Sequence, residues 1–396
     1  MNLGENEMDN QIKNNLKNLF EQTYNKKPEL YVLSPSRINI IGEHIDYLGG
    51  NVFPGNINLY IKAAFCKSDS IQVFSTSFKE DNIRKVDIQD NFKFNKDYSF
   101  LNYVLGCYQT LVNHNYKIGG FCLVVDSEIP TSSGLSSSAS FGIMVLKGIT
   151  KLYGYDVPPI ELAKIFKEVE NNFMNLKNGI MDQFVIANGK KNNFMLLNTS
   201  TLDYKNYEFD LKNYNFLVIN SKKPRNLIES KYNERVYETT KALEQINKKY
   251  DYKNLCSIPI TEINNVLNLI DDETLKKRAK YAIEEQERVK QFINNLISNN
   301  FQECGKILNN AHLALKNDYE VSCKELDFVN EVGNSVDGVL GIRMTGAGFG
   351  GCLIALIDKK SNEIFKKTII DKYKNEFGYP CEVYEIEVVN GTSCFK

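Results

Sequence analysis

Short runs of apolar or alternating residues, each flanked by turn formers, punctuate the first half of the chain. Residues 31–33, 60–65, 71–74 and 121–125 predict strands on this pattern. Between them Phe100, Tyr103, Val104, Cys107 and Leu111 recur at helical spacing and predict one amphipathic helix. A second helix is expected from about residue 135 to 153, with Phe141, Met144, Val145 and Leu152 facing inward. A third begins after Pro158 and Pro159, because proline is tolerated in a first helical turn. It carries Leu162, Ile165, Phe166, Val169 and Phe173. The second half reads differently. Residues 227–332 are helix-rich, and then 351–358 predict a buried strand, 361–373 a helix and 382–389 a final alternating strand. The stretch 198–215 is polar and turn-rich, so it marks a boundary between domains at 1–205 and 206–396.

Composition agrees with two soluble domains. At 396 residues, 42% hydrophobic and 24% charged, the chain exceeds one ordinary core. Its net charge is -1 with no long run of one sign, so nothing recruits nucleic acid or an anionic membrane. The first eleven residues are polar and acidic, unlike a secretory signal, and no apolar run approaches a membrane span. Nine cysteines without a CxxC pair argue against a disulfide framework and for a reduced, cytoplasmic setting. Only three histidines are present, little material for a His-rich metal site or a Ser-His-Asp triad.

Candidate chemistry gathers in four segments. Residues 34–50, SPSRINIIGEHIDYLGG, crowd Arg37, Glu43, His44, Asp46 and Tyr47 onto one strand end. Half-buried polar groups cost free energy without partners, so such a cluster grips a polar, hydroxyl-rich ligand or else forms a solvated turn at Gly49 and Gly50. Residues 130–140, PTSSGLSSSAS, join a strand to a helix start. Glycine, small serines and unpaired first-turn amides make a phosphate cradle; the plain alternative is a Ser-rich helix cap. No Gly-Lys-Ser/Thr follows, which excludes a Walker A loop. Residues 343–352, RMTGAGFGGC, match GxGxxG through Gly346, Gly348 and Gly351, but a strand follows where a dinucleotide fingerprint demands a helix. A backbone that closely approaches another loop or a ligand explains the glycines better. Residues 179–184, GIMDQF, set Asp182 inside an apolar stretch, where it needs a buried partner; Arg37 is the natural candidate.

Together and in this order, the segments resemble the GHMP superfamily of small-molecule kinases, and within it the galactokinases. SRINIIGEHIDY is similar to the galactokinase signature, PTSSGLSSSAS to the superfamily's phosphate loop, GIMDQF to the catalytic-aspartate segment and RMTGAGFGGC to the third motif. DYEVSCKELD at 318–327 is a further likeness. The resemblance implies an α+β, two-lobed GHMP kinase fold, with an N-terminal lobe resembling ribosomal protein S5 domain 2 and a ferredoxin-like C-terminal lobe with extra helices. It implies ATP and Mg2+ as cofactors, and transfer of the γ-phosphate to the C1 hydroxyl of a galactose-like sugar. By position, Asp182 and Arg37 match the catalytic pair. Glu43, His44, Asp46, Gly179 and Tyr232 match sugar contacts, Tyr232 through the flanking NSKKPRNLIESKYNERV. Gly134, Leu135, Ser136, Ser137 and Ser138 match the phosphate loop, Ser137 and Glu170 the magnesium ligands, and Gly346 and Gly348 the third motif. The implied partners are a small sugar and ATP, with no nucleic acid, membrane or obligate protein partner.

The physics agrees. Ionised carboxylates accept from sugar hydroxyls directionally, and a pocket built this way rejects an epimer by leaving buried groups unpaired. Phosphoryl transfer needs positioning and charge neutralisation more than covalent chemistry. A neighbouring arginine makes an aspartate a weaker base, so Asp182 is expected chiefly to orient the hydroxyl and accept its proton late.

This chain departs from the family pattern at several places. Ser36 stands in place of the glycine before Arg37, and Ser132 and Ser133 where glycine or alanine is common. Leu48 replaces a frequent asparagine, and Asn56 a small alanine near the sugar segment. The last two leave open a kinase for N-acetylgalactosamine or another galactose-related sugar. A non-catalytic sensor of sugar and ATP is the rival from another class, but its phosphate loop would be damaged, whereas GLSSSAS, Arg37 and Asp182 are all present here. A metal-dependent hydrolase built on Glu43, His44 and Asp46 lacks a second His-bearing cluster.

Overall fold

The computed structural model describes residues 3–130, 133–176, 178–223 and 228–396. Thr131 and Ser132 of the serine-rich segment therefore lie outside the described residues, as do 224–227 of the stretch before Tyr232. The first half runs α1 (Leu3–Tyr24), β1 (Leu30–Asn39), β2 (Asn51–Val52), β3 (Pro54–Ser68), β4 (Ser70–Ser75), β5 (Arg84–Asp87), α2 (Leu101–Asn113), β6 (Gly120–Ser127), α3 (Ser137–Leu152), α4 (Pro159–Glu168) and α5 (Met181–Asn188). A π turn, Val169–Phe173, extends α4. The four expected strands fall inside β1, β3, β4 and β6, and the three expected helices are α2, α3 and α4. Next come β7 (Asn193–Asn198), β8 (Tyr204–Glu208), β9 (Tyr214–Asn220), α6 (Ile228–Ile246), α7 (Ile263–Leu267), α8 (Glu273–Ile297), α9 (Phe301–Asn317) and α10 (Lys324–Asn334). The chain ends with β10 (Val339–Thr345), β11 (Cys352–Asp358), α11 (Asn362–Phe377), β12 (Glu382–Glu385) and β13 (Ser393–Phe395).

The main sheet has the order β13-β1-β3-β6-β4-β5, with β4 and β6 parallel and the other neighbours antiparallel. Alternation along β1 explains its two coverings. Tyr31 and Leu33 point to the face where α1 packs Ile12, Leu16 and Phe20, while Leu30 and Val32 join the larger core. Burying a side chain such as Phe20 contributes about 1.5–3 kcal/mol. A second sheet, β10-β11-β9-β12, is wholly antiparallel, and β2-β7-β8 form a third.

One expected element needs correction, and two segments carry strands that the pattern did not show. The polar, turn-rich stretch 198–215 contains β8, which pairs along β7 and places Tyr207 opposite Phe194. The final strand expected at 382–389 stops at Glu385, and Val388 instead makes an isolated bridge to Ile57 in β3. The last residues then return to the first sheet, where β13 pairs with β1 through Tyr31 and Phe395. No helix among the described residues is long and apolar enough to cross a membrane, and none of the nine cysteines forms a disulfide.

Candidate active site

Strand β1 carries Arg37 to the sheet's end, and a bulge between Pro35 and Ser36 resets its register against β3. The guanidinium then reaches the first turn of α5, where Nε donates to Asp182 Oδ1 at 2.6 Å and Nη2 to Oδ2 at 2.7 Å. The third corner of the fork, Nη1, donates to the carbonyl of Gly134 at 3.0 Å. Asp182 also accepts from the Ser136 hydroxyl. A planar, bidentate pair of this kind fixes both side chains at once. The Arg37–Asp182 meeting is the one the sequence could only suggest, and through Gly134 and Ser136 it also joins the 179–184 segment to the serine-rich loop.

The loop enters α3 through Ser136, which adopts a left-handed conformation (φ 57°) and makes no side-chain cap. Its hydroxyl is engaged by Asp182 instead, so the first-turn amides of α3 keep the unsatisfied donors and positive dipole end that suit an anion. The third motif closes on this loop from the other side. Gly346 has φ +86°, and a Cβ there would lie 2.9 Å from the Gly134 carbonyl oxygen. Gly348 (φ +79°) is set against the Val321 carbonyl, where a Cβ would approach to 2.2 Å. The glycines thus serve close backbone approach, and a strand, β11, follows them.

Beyond Arg37, the turn after β1 presents Glu43, His44 and Asp46. Glu43 is 2% exposed. Its Oε1 accepts from the Gly346 amide at 2.7 Å and the Thr345 hydroxyl at 3.1 Å, and its Oε2 from Arg343 and Asn39. Arg343, wholly buried, also donates to the Asn39 carbonyl at 3.0 Å and contacts Glu285 at 3.4 Å. Glu285 in turn accepts from the Gly42 amide at 2.9 Å and from Arg288 at 2.6 Å. A buried charge network therefore ties the β1 end to β10 and α8.

His44 sits at φ 59° with both ring nitrogens engaged. Nε2 lies 3.1 Å from the Ala347 carbonyl, so it carries the proton and donates; Nδ1, 3.1 Å from the Tyr47 hydroxyl, accepts. The Tyr47 hydroxyl is 2.7 Å from that of Tyr319. Burial lowers the His44 imidazole to about 4, which keeps it neutral. Asp46 is pushed up to about 7, first by burial and then by the Asp182 charge. Its carboxylate lies directly over Gly179, where a Cβ would fall 1.7 Å from Oδ2.

Glu170 projects from the π turn and is pushed up to about 8, again by burial first and then by Asp182. It accepts from Gln183 at 3.1 Å and from Asn178 at 3.4 Å.

These residues converge. One cavity of about 240 Å³ is lined by Arg37, Glu43, His44, Asp46, Ser138, Glu170, Gly179, Asp182, Tyr232 and Gly346, among others. Other candidates stand behind its wall. The side chain of Leu135 belongs to the core, Ser137 is a half-buried first residue of α3, and Gly134 and Ser136 meet the cavity through Arg37 and Asp182. Leu48 and Asn56 do not line it. Asn56 is wholly buried and donates to the Val185 carbonyl of α5 at 2.9 Å, while Leu48 packs against the core. The two departures that put the sugar in question thus face away from the cavity. Sequence reasoning passed over Asn178, Gln183 and Asn233 in the lining, and Arg343 behind it. Gln183 offered a signal, a second polar residue beside Asp182 in an apolar run; Arg343 offered none beyond opening the glycine-rich motif.

A sheet-and-helix lobe whose serine loop starts a helix beside an Arg-Asp pair, closed by a glycine turn from a second lobe, defines a small-molecule kinase of the GHMP class. Family models agree: GHMP kinases N terminal domain matches residues 102–190 and GHMP kinases C terminal matches 271–375. A third, the galactokinase galactose-binding signature, matches 18–67. The galactokinase of Staphylococcus carnosus is 37% identical over 96% of this chain and 99% of its own length. That of Lactococcus lactis subsp. cremoris is 39% identical over 93% of this chain and 92% of its own. The chain belongs to the galactokinase family. A crystal structure of Lactococcus lactis galactokinase complexed with galactose superimposes with a TM-score of 0.91 at 37% identity, covering 96% of this chain and 99% of that one. The mevalonate kinase of Methanococcus jannaschii, at 22% identity and TM-score 0.63, shares the fold.

Proposed function

We propose that this chain transfers the γ-phosphoryl group of ATP to the C1 hydroxyl of galactose, giving galactose 1-phosphate and ADP. The observation that carries the reading is the Arg37–Asp182 pair, which stands on the sugar cavity and holds the phosphate loop through Gly134. The cavity is walled by the carboxylates of Glu43, Asp46 and Asp182, by His44 and by Tyr232, a set suited to a small polyhydroxylated ring. Asp182 orients the C1 hydroxyl and takes its proton as the new O–P bond forms and the β,γ-bridging oxygen leaves with its electron pair on ADP. Arg37 stabilises the charge that develops. Glu43, His44, Asp46, Gly179 and Tyr232 hold the sugar; the backbone and hydroxyls of residues 134–138 receive the phosphates.

Glu170 and Ser137 offer hard oxygen donors, and a buried carboxyl raised to about 8 beside Asp182 is a group that a cation would ionise. They fit Mg2+, which is commonly held by one or two carboxylates together with substrate phosphates. When bound, the ion would supply charge neutralisation at those phosphates. The same proposal takes 1–205 and 206–396 as the two lobes and places the enzyme in the cytoplasm with no obligate protein partner.

The test is an ATP-coupled assay of the purified protein against galactose, N-acetylgalactosamine, glucose and galacturonate. Galactose is expected to exceed the others in kcat/KM by at least about tenfold, roughly 1.4 kcal/mol of differential transition-state binding. Equal or absent turnover of galactose would overturn the reading.

A further inference from the structure

The residue before Arg37 is serine in this chain, and its hydroxyl has a specific partner. Ser36 is wholly buried, and its Oγ donates to the carbonyl of Leu135 at 2.7 Å. Arg37 Nη1 donates to the carbonyl of Gly134 at 3.0 Å. Two consecutive residues of β1 thus hold two consecutive carbonyls of the phosphate loop. A trans peptide is planar, so its N–H points opposite to its C=O. Pinning the 134 and 135 carbonyls toward β1 therefore aims the Leu135 and Ser136 amides away from it, and neither has a hydrogen-bond partner among the described residues. The backbone alternates in hand here: Gly134 at φ +80° and Ser136 at φ +57° flank Leu135, which is not in the positive-φ region. Successive amides on such an alternating backbone form a concave anion-binding nest.

We propose that Ser36 is a positioning residue for ATP, acting through the loop backbone. Sealed beneath the loop, its hydroxyl does not touch phosphate; it fixes the 135–136 peptide so that the Ser136 amide faces the anion. With glycine at this place the Leu135 carbonyl would lose that donor. The inference rests on the ATP-dependent reading given above, and it separates nucleotide binding from sugar binding, since the Ser36 hydroxyl is spent on Leu135 of the phosphate loop and not on the 179–184 segment.

The experiment compares Ser36→Ala and Ser36→Gly with the parent. Steady-state kinetics vary ATP and galactose separately, calorimetry measures ADP binding to the sugar-free protein, and thermal melting reports the fold. Losing one buried hydrogen bond that orients an anion-binding amide should raise KM for ATP and Kd for ADP about five- to tenfold. KM for galactose and kcat at saturating ATP should stay within about twofold. A fall in Tm with nucleotide affinity unchanged would reduce Ser36 to a packing role and overturn the proposal. So would equal losses for both substrates. If the parent protein fails to phosphorylate galactose, the functional reading falls, while ADP calorimetry still decides what Ser36 does.

Discussion

Arg37 and Asp182 meet edge-on, guanidinium to carboxylate, at 2.6 and 2.7 Å across 145 residues of sequence. With Ser136 as a further donor, the Asp182 carboxylate is held by three hydrogen bonds in the first turn of α5. As the base of the proposed reaction, a carboxylate so restrained would be oriented before the sugar arrives. Asp182→Asn should lower kcat by about 10²- to 10⁴-fold, the range for a positioned acid or base, while KM values change only a few-fold. Arg37→Lys should also be severe, because an ammonium cannot span both carboxylate oxygens and the Gly134 carbonyl together. Single-turnover rates check both; near-normal turnover of Asp182→Asn would remove it from the chemistry.

The Glu43–Arg343 pair is a different case, since both side chains are almost wholly buried, at 2% and 0% exposure. Removing one charge strands the other away from water. Arg343→Met should cost about 3–5 kcal/mol, read as a lower urea midpoint at unchanged m. The double variant with Glu43→Gln should be less unstable than the sum of the singles, because the two residues share a network. Additive losses would show that they act independently.

Much of this site was legible in the sequence because its motifs are short and local. Arg37 to Asp46 occupy the end of β1 and the turn after it, and Gly134 to Ser138 one strand-to-helix loop, so both stood out locally, although the role of each residue came only from the resemblance to the family. The edges were less visible. Helix α1 is mostly polar with only a narrow stripe through Ile12, Leu16 and Phe20, and β8 reads YKNYE with no buried residue. β13 is three residues whose strand character comes only from pairing with β1. Asn56 shows the same limit inside the core: its sequence neighbours suggested the sugar, but strand direction turns its amide toward α5. What a residue touches across hundreds of positions, as Glu43 touches Arg343, is tertiary information that no local pattern carries.

Burial raises three of the cavity carboxyls above their ordinary values: Glu43, and two whose positions matter most here, Asp46 at about 7 and Glu170 at about 8. A folded-state value above the unfolded one adds stability that is full below about pH 4 and is lost as pH rises through 7 to 8. The ligand-free protein should therefore melt at lower temperature at about pH 9 than at about pH 6, and Asp46→Asn or Glu170→Gln should flatten that slope. Activity should move the other way. As a sugar contact of the proposed reaction, Asp46 would accept from hydroxyls best when ionised, so kcat/KM for galactose should climb through about pH 7, a limb that Asp46→Asn abolishes. His44, lowered to about 4, is neutral throughout the activity profile above pH 6; in the stability profile it works against the carboxyls, adding stability as pH rises through the unfolded imidazole value of about 6.5 and nothing further at higher pH. A melting temperature that rises between pH 6 and 9 would contradict the burial of both carboxyls.

Two glycines in the lining of the cavity, one beside Asp46 and one against the Gly134 carbonyl, offer a way to separate its proposed sugar and phosphate sides. At Gly179 an added Cβ would fall 1.7 Å from Asp46 Oδ2, and the carboxylate would have to swing away. The three atoms nearest that Cβ all belong to Asp46, so Gly179→Ala should raise KM for galactose, by about tenfold or more for the loss of a charged acceptor, and leave KM for ATP nearly unchanged. At Gly346 the added Cβ would press on the Gly134 carbonyl oxygen at 2.9 Å, in a conformation (φ +86°) that side chains rarely adopt. The backbone of the loop cannot give as a side-chain tip can. Gly346→Ala should therefore disturb the Gly134 peptide and with it Arg37, raising KM for ATP and lowering kcat together, with a stability loss of about 1–3 kcal/mol for the strained backbone. The Gly346 amide also serves Glu43, so a smaller rise in KM for galactose is expected from the same variant. Kinetics with each substrate varied in turn distinguish the two walls; if Gly179→Ala impaired ATP as strongly as galactose, the separation of sugar and phosphate sides across the Arg37–Asp182 pair would be wrong.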